Sequence, residues 1–94
     1  MRTGTWLTHI QHDWDSPVWR HWFRLLSEHR TLVRYDPRGC GLSQRTGTNI
    51  TVDGWVDDLA AVVDHLELER FPLLGMSQGA AVSILYALRY PERV

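Results

Sequence analysis

The chain contains no lysine: its ten basic side chains are all arginine, set against eleven acidic ones for a net charge of −1. Without lysine there is neither the phosphate-cradling side chain of a P-loop nor Schiff-base chemistry. The balanced charge leaves no cationic surface large enough for nucleic acid or an anionic membrane, so neither is an expected partner. Cysteine is nearly as scarce. Cys40 stands alone, which excludes an internal disulfide framework and a multi-cysteine zinc cluster and fits a reducing compartment, so a cytoplasmic location is expected. No apolar run approaches the roughly 18 residues of a membrane span, and residues 1–7 lack the apolar core of a leader peptide. Repeats, proline-rich linkers and low-complexity tracts are missing too, so the 94 residues read as part or all of one globular domain.

What is present alternates. Ser16-Pro17 is a helix-start signal, a capping hydroxyl followed by a residue whose missing N–H costs nothing in the first turn. A helix is predicted over residues 17–28, with Trp19, Trp22, Phe23 and Leu26 as its apolar face. Residues 31–35 are short and β-branched and run into Asp36-Pro37 and two glycines, the pattern of a strand ending in a loop. Residues 51–66 read as a second helix, with Trp55, Leu59, Val62, Val63 and Leu66 on one side and Asp53, Asp57, Asp58 and Asp64 mostly on the other. Residues 71–74 are a brief apolar strand, and a third helix follows from Ser77 until Tyr90-Pro91 stops it. This rhythm predicts an α/β class with parallel strands alternating with helices. Two strands cannot bury such a sheet, so residues 1–94 are expected to be an incomplete domain, marginally stable and inactive as an isolated piece.

The chemistry is carried by Gly75-Met76-Ser77-Gln78-Gly79, a G-x-S-x-G motif lying directly between a predicted strand and a predicted helix. A sharp turn there would lift the Ser77 hydroxyl to the carboxyl end of the sheet, and Gly75 and Gly79 would let strand and helix approach closely. Ser77 is the expected catalytic nucleophile, and the N–H of Gln78, at a helix N-terminus, the expected oxyanion donor. Upstream, Asp36-Pro37-Arg38-Gly39-Cys40-Gly41-Leu42-Ser43 forms a glycine-rich charged loop. Asp36 and Arg38 there are expected to organise the loop, Arg38 pairing with Asp57 or Asp58, rather than to react.

In this combination the chain resembles the N-terminal part of the alpha/beta-hydrolase fold family, whose D-x-R-G-x-G-x-S loop is similar to residues 36–43 and whose elbow is similar to residues 75–79. Residues 6–9 and 16–22 resemble, more narrowly, bacterial hydrolase-like modules that occur alone or joined to regulatory domains. The resemblance implies a partial alpha/beta-hydrolase fold and a serine hydrolase acting on an ester, amide or similar small molecule, with no cofactor. The alternative it leaves open is a non-catalytic module that binds a small molecule and reports to a regulatory domain. Where relatives carry His-Gly after the third strand this chain has Thr5-Trp6-Leu7-Thr8, and the alignment suggests the N–H of Leu7 as the second oxyanion donor.

In that fold the acid and the histidine follow the serine in chain order, whereas His9, His12, His21, His29 and His65 all precede Ser77 and only Glu92 follows it among the candidates. The first strands and the acid/histidine half are therefore expected outside these residues. His9, His12 and Asp13 form an H-x-x-H-D cluster expected in a loop and without a third distant ligand, so no metal site is expected. Trp19, Trp22 and Trp55 are expected in the core, and Trp6 and Trp14 are the better candidates for lining a pocket.

Overall fold

The structure is a computed structural model that describes residues 1–5, 8–47 and 49–94. Four helices run in chain order, α1 (Ile10–Asp15), α2 (Arg20–Ser27), α3 (Val52–His65) and α4 (Gln78–Arg89), followed by a 3₁₀ turn over Pro91–Arg93.

Between the helices three extended segments lie side by side and parallel. Arg2 bridges Arg34 on one side and Leu74 on the other. The Arg2 N–H donates to the Val33 carbonyl at 2.9 Å, Thr3 N–H to Leu74 at 3.1 Å, and Leu74 N–H to Met1 at 2.9 Å. The expected strands over 31–35 and 71–74 therefore do not pair with each other, and among the described residues neither forms a ladder. Each contributes one bridge to a central segment that the element pattern did not predict. Pro72 limits the second pairing, having no N–H to donate; its carbonyl takes the Met1 ammonium at 3.0 Å.

The third and fourth helices hold the core. Val56, Leu59, Val63, Phe71, Val82 and Tyr86 are buried together, with Met1, Tyr35, Trp55 and Leu73 packed against them. Helix α3 starts where the Thr51 hydroxyl accepts the Gly54 N–H at 2.9 Å, has Asp53 in its first turn, and ends before Glu67 at φ 53°, matching the predicted boundaries. The 3₁₀ turn is pinned beneath α3: the Arg93 guanidinium donates to Asp64 at 3.0 Å and to the Leu68 carbonyl at 2.7 Å.

The N-terminal helices depart from expectation. The His9–Asp13 cluster is not in a loop, because His9 caps α1 by accepting the His12 N–H on Nδ1 at 3.2 Å. The predicted helix over 17–28 begins later, at Arg20. The Ser16 carbonyl accepts the N–H groups of both Trp19 (3.2 Å) and Arg20 (2.8 Å), so residues 16–19 make a turn ahead of the helix. Of its predicted apolar face Phe23 is fully buried, but Trp22 is 53% exposed, so Trp22 is a surface residue. The cause lies in the extended segments: the Arg2 guanidinium lies over the Trp19 and Phe23 rings at 4.9 and 5.1 Å and that of Arg34 over Phe23 at 4.3 Å, so these cations engage two rings of the predicted face and leave Trp22 outside.

Candidate active site

The turn at residues 75–79 joins the bridge at Leu74 to α4, and its backbone has the sharpness the motif demands. Ser77 adopts φ 54°, ψ −127°, a region that costs a side-chain-bearing residue about 1–3 kcal/mol. Glycine flanks it for steric reasons. A Cβ on Gly79 would stand 2.6 Å from the Gly4 carbonyl oxygen and 2.5 Å from Thr3 Oγ1, and one on Gly75 would meet Ser83 Oγ and stand 2.6 Å from the Gly79 oxygen. Both contacts include backbone, which cannot step aside, so residues of any other type would open the turn.

Ser77 occupies the N-cap position of α4, yet its side chain makes no capping bond. Serine at that position ordinarily spends its oxygen on an N–H of the first turn; Ser77 is instead exposed, with no such bond. Two of the first-turn donors fold back, Gly79 N–H to Met76 and Ala80 N–H to Ser77, both at 2.9 Å. The Gln78 N–H, first in the helix, has no intrahelical acceptor and carries the positive end of the helix dipole. Leu7 and Trp6 lie outside the described residues.

The loop after Arg34 is held by Asp36, whose buried carboxylate accepts the N–H groups of Ile10 at 3.1 Å and Leu42 at 3.0 Å. Its carbonyl accepts the Ser43 hydroxyl. Gly41, at φ 51°, leaves the space that carboxylate fills. Arg38 donates from Nε and Nη2 to Asp58 Oδ1 at 2.9 and 2.7 Å and from its backbone N–H to Oδ2 at 2.8 Å; this hydrogen-bonded carboxylate pushes the guanidinium pKa up. Trp55 Nε1 closes the loop onto α3 by donating to the Arg38 carbonyl at 3.2 Å. Asp36 and Arg38 thus bind the loop together, and Asp58 is the partner of Arg38. Burial raises the pKa of the Cys40 thiol in the same loop, opposite to what a reactive cysteine needs. A cleft of about 860 Å³ lies here, lined by Tyr35, Asp36, Arg38, Ser43 and Asp58 among others, and Ser77 is not on its wall.

Among the described residues no group of three or more metal-ligating side chains could hold an ion. The Asp13 carboxylate is already used, accepting the Thr8 hydroxyl at 3.3 Å and the His9 N–H at 3.4 Å. Trp14 lies parallel to Phe23 with ring centres 6.2 Å apart and lines a small open cleft with Gln11, His12 and Arg34. No hydrogen bond joins a histidine to Ser77 among the described residues. Thr3, which no local sequence pattern singles out, places its buried hydroxyl against α4, 76 residues away along the chain.

The Asp36–Ser43 loop and the turn at residues 75–79, in this order on parallel segments, point to a class, and comparison with known proteins supplies the same one. A model of the alpha/beta hydrolase fold family matches residues 9–94, and the chain belongs to that family. It is 43% identical over 81 residues to a 2-hydroxy-6-oxo-2,4-heptadienoate hydrolase of Pseudomonas putida, covering 82% of this chain and 29% of that protein. It is 36% identical over 81 residues to a 2-hydroxymuconate semialdehyde hydrolase of a Pseudomonas species, with the same coverage. A cis-3-alkyl-4-alkyloxetan-2-one decarboxylase of Shewanella oneidensis is 34% identical over an alignment of 88 residues that covers 84% of this chain and 27% of that protein. The chain thus spans less than a third of the length of these relatives. No solved structure matches. No helix among the described residues is long and apolar enough to cross a membrane.

Proposed function

We propose that this chain carries the nucleophile of a serine hydrolase acting on an ester, amide or similar small carbonyl compound. The observation that carries the reading is Ser77 at φ 54°, ψ −127° between two glycines whose Cβ atoms would strike backbone. A serine is held in that conformation, with its oxygen withdrawn from capping, where the hydroxyl has work besides ending a helix.

In the proposed reaction Ser77 Oγ attacks the substrate carbonyl and its proton passes to a histidine. The negative charge that develops on the carbonyl oxygen is met by the N–H of Gln78 and, in the same reading, of Leu7. Collapse of the adduct expels the leaving group, which takes up the proton, and water then releases the acyl group by the reverse path. The histidine and its orienting acid come, in this reading, from protein beyond these 94 residues, so the isolated segment is inactive. The relatives named as hydrolases of 2-hydroxy-6-oxo-2,4-heptadienoate and 2-hydroxymuconate semialdehyde support a small carbonyl substrate. The partner in this reading is a small molecule rather than nucleic acid or a membrane, no cofactor is required and the location is cytoplasmic; fusion to, or partnership with, a regulatory domain in a longer protein is compatible with it.

The test is labelling with a fluorophosphonate in the protein expressed with its native flanking sequence. Ser77 is expected to be modified and Ser77→Ala to be silent. An unlabelled protein, under conditions that modify a control hydrolase, would replace this reading with that of a non-catalytic binding module.

A further inference from the structure

The elbow is gripped from beneath by a residue on a different segment. Thr3, 1% exposed, sits on the central extended segment and touches both arms of the turn. Its N–H donates to the carbonyl of Leu74, the last residue before the motif, at 3.1 Å. Its hydroxyl lies 3.0 Å from the carbonyl oxygen of Gly79 in the first turn of α4 and 3.3 Å from that of Leu74. Ser83, one turn further along α4, approaches the same hydroxyl at 3.2 Å. A threonine hydroxyl has one proton; with Gly79 the nearer carbonyl, that proton goes to Gly79 and the Ser83 hydroxyl donates to Thr3. Each flanking glycine faces this pair, since a Cβ on Gly79 would meet Thr3 and one on Gly75 would meet Ser83.

We infer that Thr3, seconded by Ser83, is a positioning residue for Ser77, a hydroxyl clip that fixes the angle between the incoming segment and α4 and so holds the serine in its left-handed conformation. The inference rests on the reading of Ser77 as nucleophile. Strained backbone persists only where its surroundings over-determine it. Here the over-determination is specific: the turn has five residues, and the clip binds the carbonyl just before it and that of its last residue. Removing the hydroxyl while keeping its volume frees the Gly79 carbonyl, and α4 can then relax away from the angle that presents Ser77 Oγ beside the Gln78 N–H.

The experiment compares fluorophosphonate labelling rates in the protein with its native flanking sequence, for Thr3→Val, Thr3→Ser and Ser83→Ala. Thr3→Val should lower the limiting labelling rate at least tenfold with little change in the reagent concentration giving half that rate, and Thr3→Ser should restore it to within about twofold. Ser83→Ala should lower it several-fold. A structural role alone would reduce the amount of folded protein without slowing each folded molecule, so rates are taken per folded molecule, counted by near-ultraviolet circular dichroism. Labelling of Thr3→Val within twofold of the parent overturns the clip and leaves the nucleophile in place, as does a Thr3→Ser variant as slow as Thr3→Val. Should Thr3→Val not fold, Thr3→Ser and Ser83→Ala decide, and parent-like labelling by Ser83→Ala together with slow Thr3→Ser refutes it. Labelling that survives Ser77→Ala removes the nucleophile reading itself, and the clip with it.

Discussion

The two faces of the extended segments are built on different principles. Side chains alternate along an extended backbone, so Met1 and Tyr35 join the core under α3 and α4 while Arg2 and Arg34 point to the side of α1 and α2. The first face is aliphatic and aromatic, and six side chains from α3, α4 and residue 71 are buried on it. The second buries the ring of Phe23 among Trp14, Trp19 and two guanidiniums, leaving Val18, Trp22 and Leu25 more than half exposed. The candidate nucleophile and its loop are thus anchored to the well-packed face. Arg38 and Trp55 tie the loop to α3, and Ser77 begins α4.

Truncations on the two faces should therefore differ sharply in cost. Leu59→Ala removes a fully buried side chain and should cost about 2–5 kcal/mol, measured by denaturant unfolding. Leu25→Ala on the other face, where the side chain is 65% exposed, should stay within about 0.5 kcal/mol. Equal costs would erase the distinction between the faces.

Next is Asp36, the link between the faces, since its carboxylate bonds Ile10 at the start of α1 and Leu42 in the loop. Asp36→Ala leaves both N–H groups without their acceptor and should cost about 2 kcal/mol. Asp36→Asn, whose single carbonyl oxygen can serve only one of them, should fall between. A loss confined to fluorophosphonate reactivity, with unfolding unchanged, would make Asp36 part of the chemistry instead of the scaffold.

The parts that were legible are those where local chemistry has one solution. Thr51 and Asp53 start α3 and Tyr90-Pro91 ends α4, so both helices are legible, and the turn at 75–79 is legible from its glycines only together with the extended segment before it and the helix after it. Arg38 with an acid of the next helix was readable as well, because a guanidinium after a strand-end aspartate needs a partner and α3 offers two. What escaped is non-local. Whether 31–35 pairs with 71–74 depends on the segment at residues 1–3 lying between them, and that segment is too short to carry a pattern. Trp22 looked like core because helical periodicity records which residues share a face, whereas the arginines at 2 and 34 decide what that face meets. The H-x-x-H-D cluster became a helix start because His9 offers a ring nitrogen as a cap, a role more often filled by Ser, Thr, Asp or Asn.

Tyr35 tests the aliphatic face through pH. Burial, and then the negative charge of Asp58, push its hydroxyl pKa well above the ordinary value of about 10. The folded protein therefore keeps a proton that the unfolded chain releases at high pH. The contribution is complete below pH 10 and is lost as pH rises beyond it, at about 1 kcal/mol per unit. The parent should lose stability relative to Tyr35→Phe above pH 10 and match it more closely near neutrality. Parallel stability curves for the two up to pH 11 would place the Tyr35 ring in water rather than against the core.

The smallest effect has the opposite sign and probes the cationic face. Arg2 is 3% exposed, burial lowers its pKa most, with Asp13 opposing, and its Nη2 finds no partner among the described residues. Its guanidinium lies over Trp19 at 4.9 Å and Phe23 at 5.1 Å, so the favourable cation–ring contact is set against a buried donor left unsatisfied. An unmade hydrogen bond in such a place costs about 1–3 kcal/mol, and a cation–ring contact returns about 1–2 kcal/mol when desolvated. Arg2→Met keeps an unbranched chain of similar reach and removes both terms, so it should leave stability unchanged or raise it by up to about 1 kcal/mol. Arg2→Ala, which also empties the space over the two rings, should lower it. A clear destabilisation by Arg2→Met would mean that the charge is needed where it lies, as counter-ion to Asp13, and the second face would then be an electrostatic assembly in its own right instead of a poorly filled copy of the first.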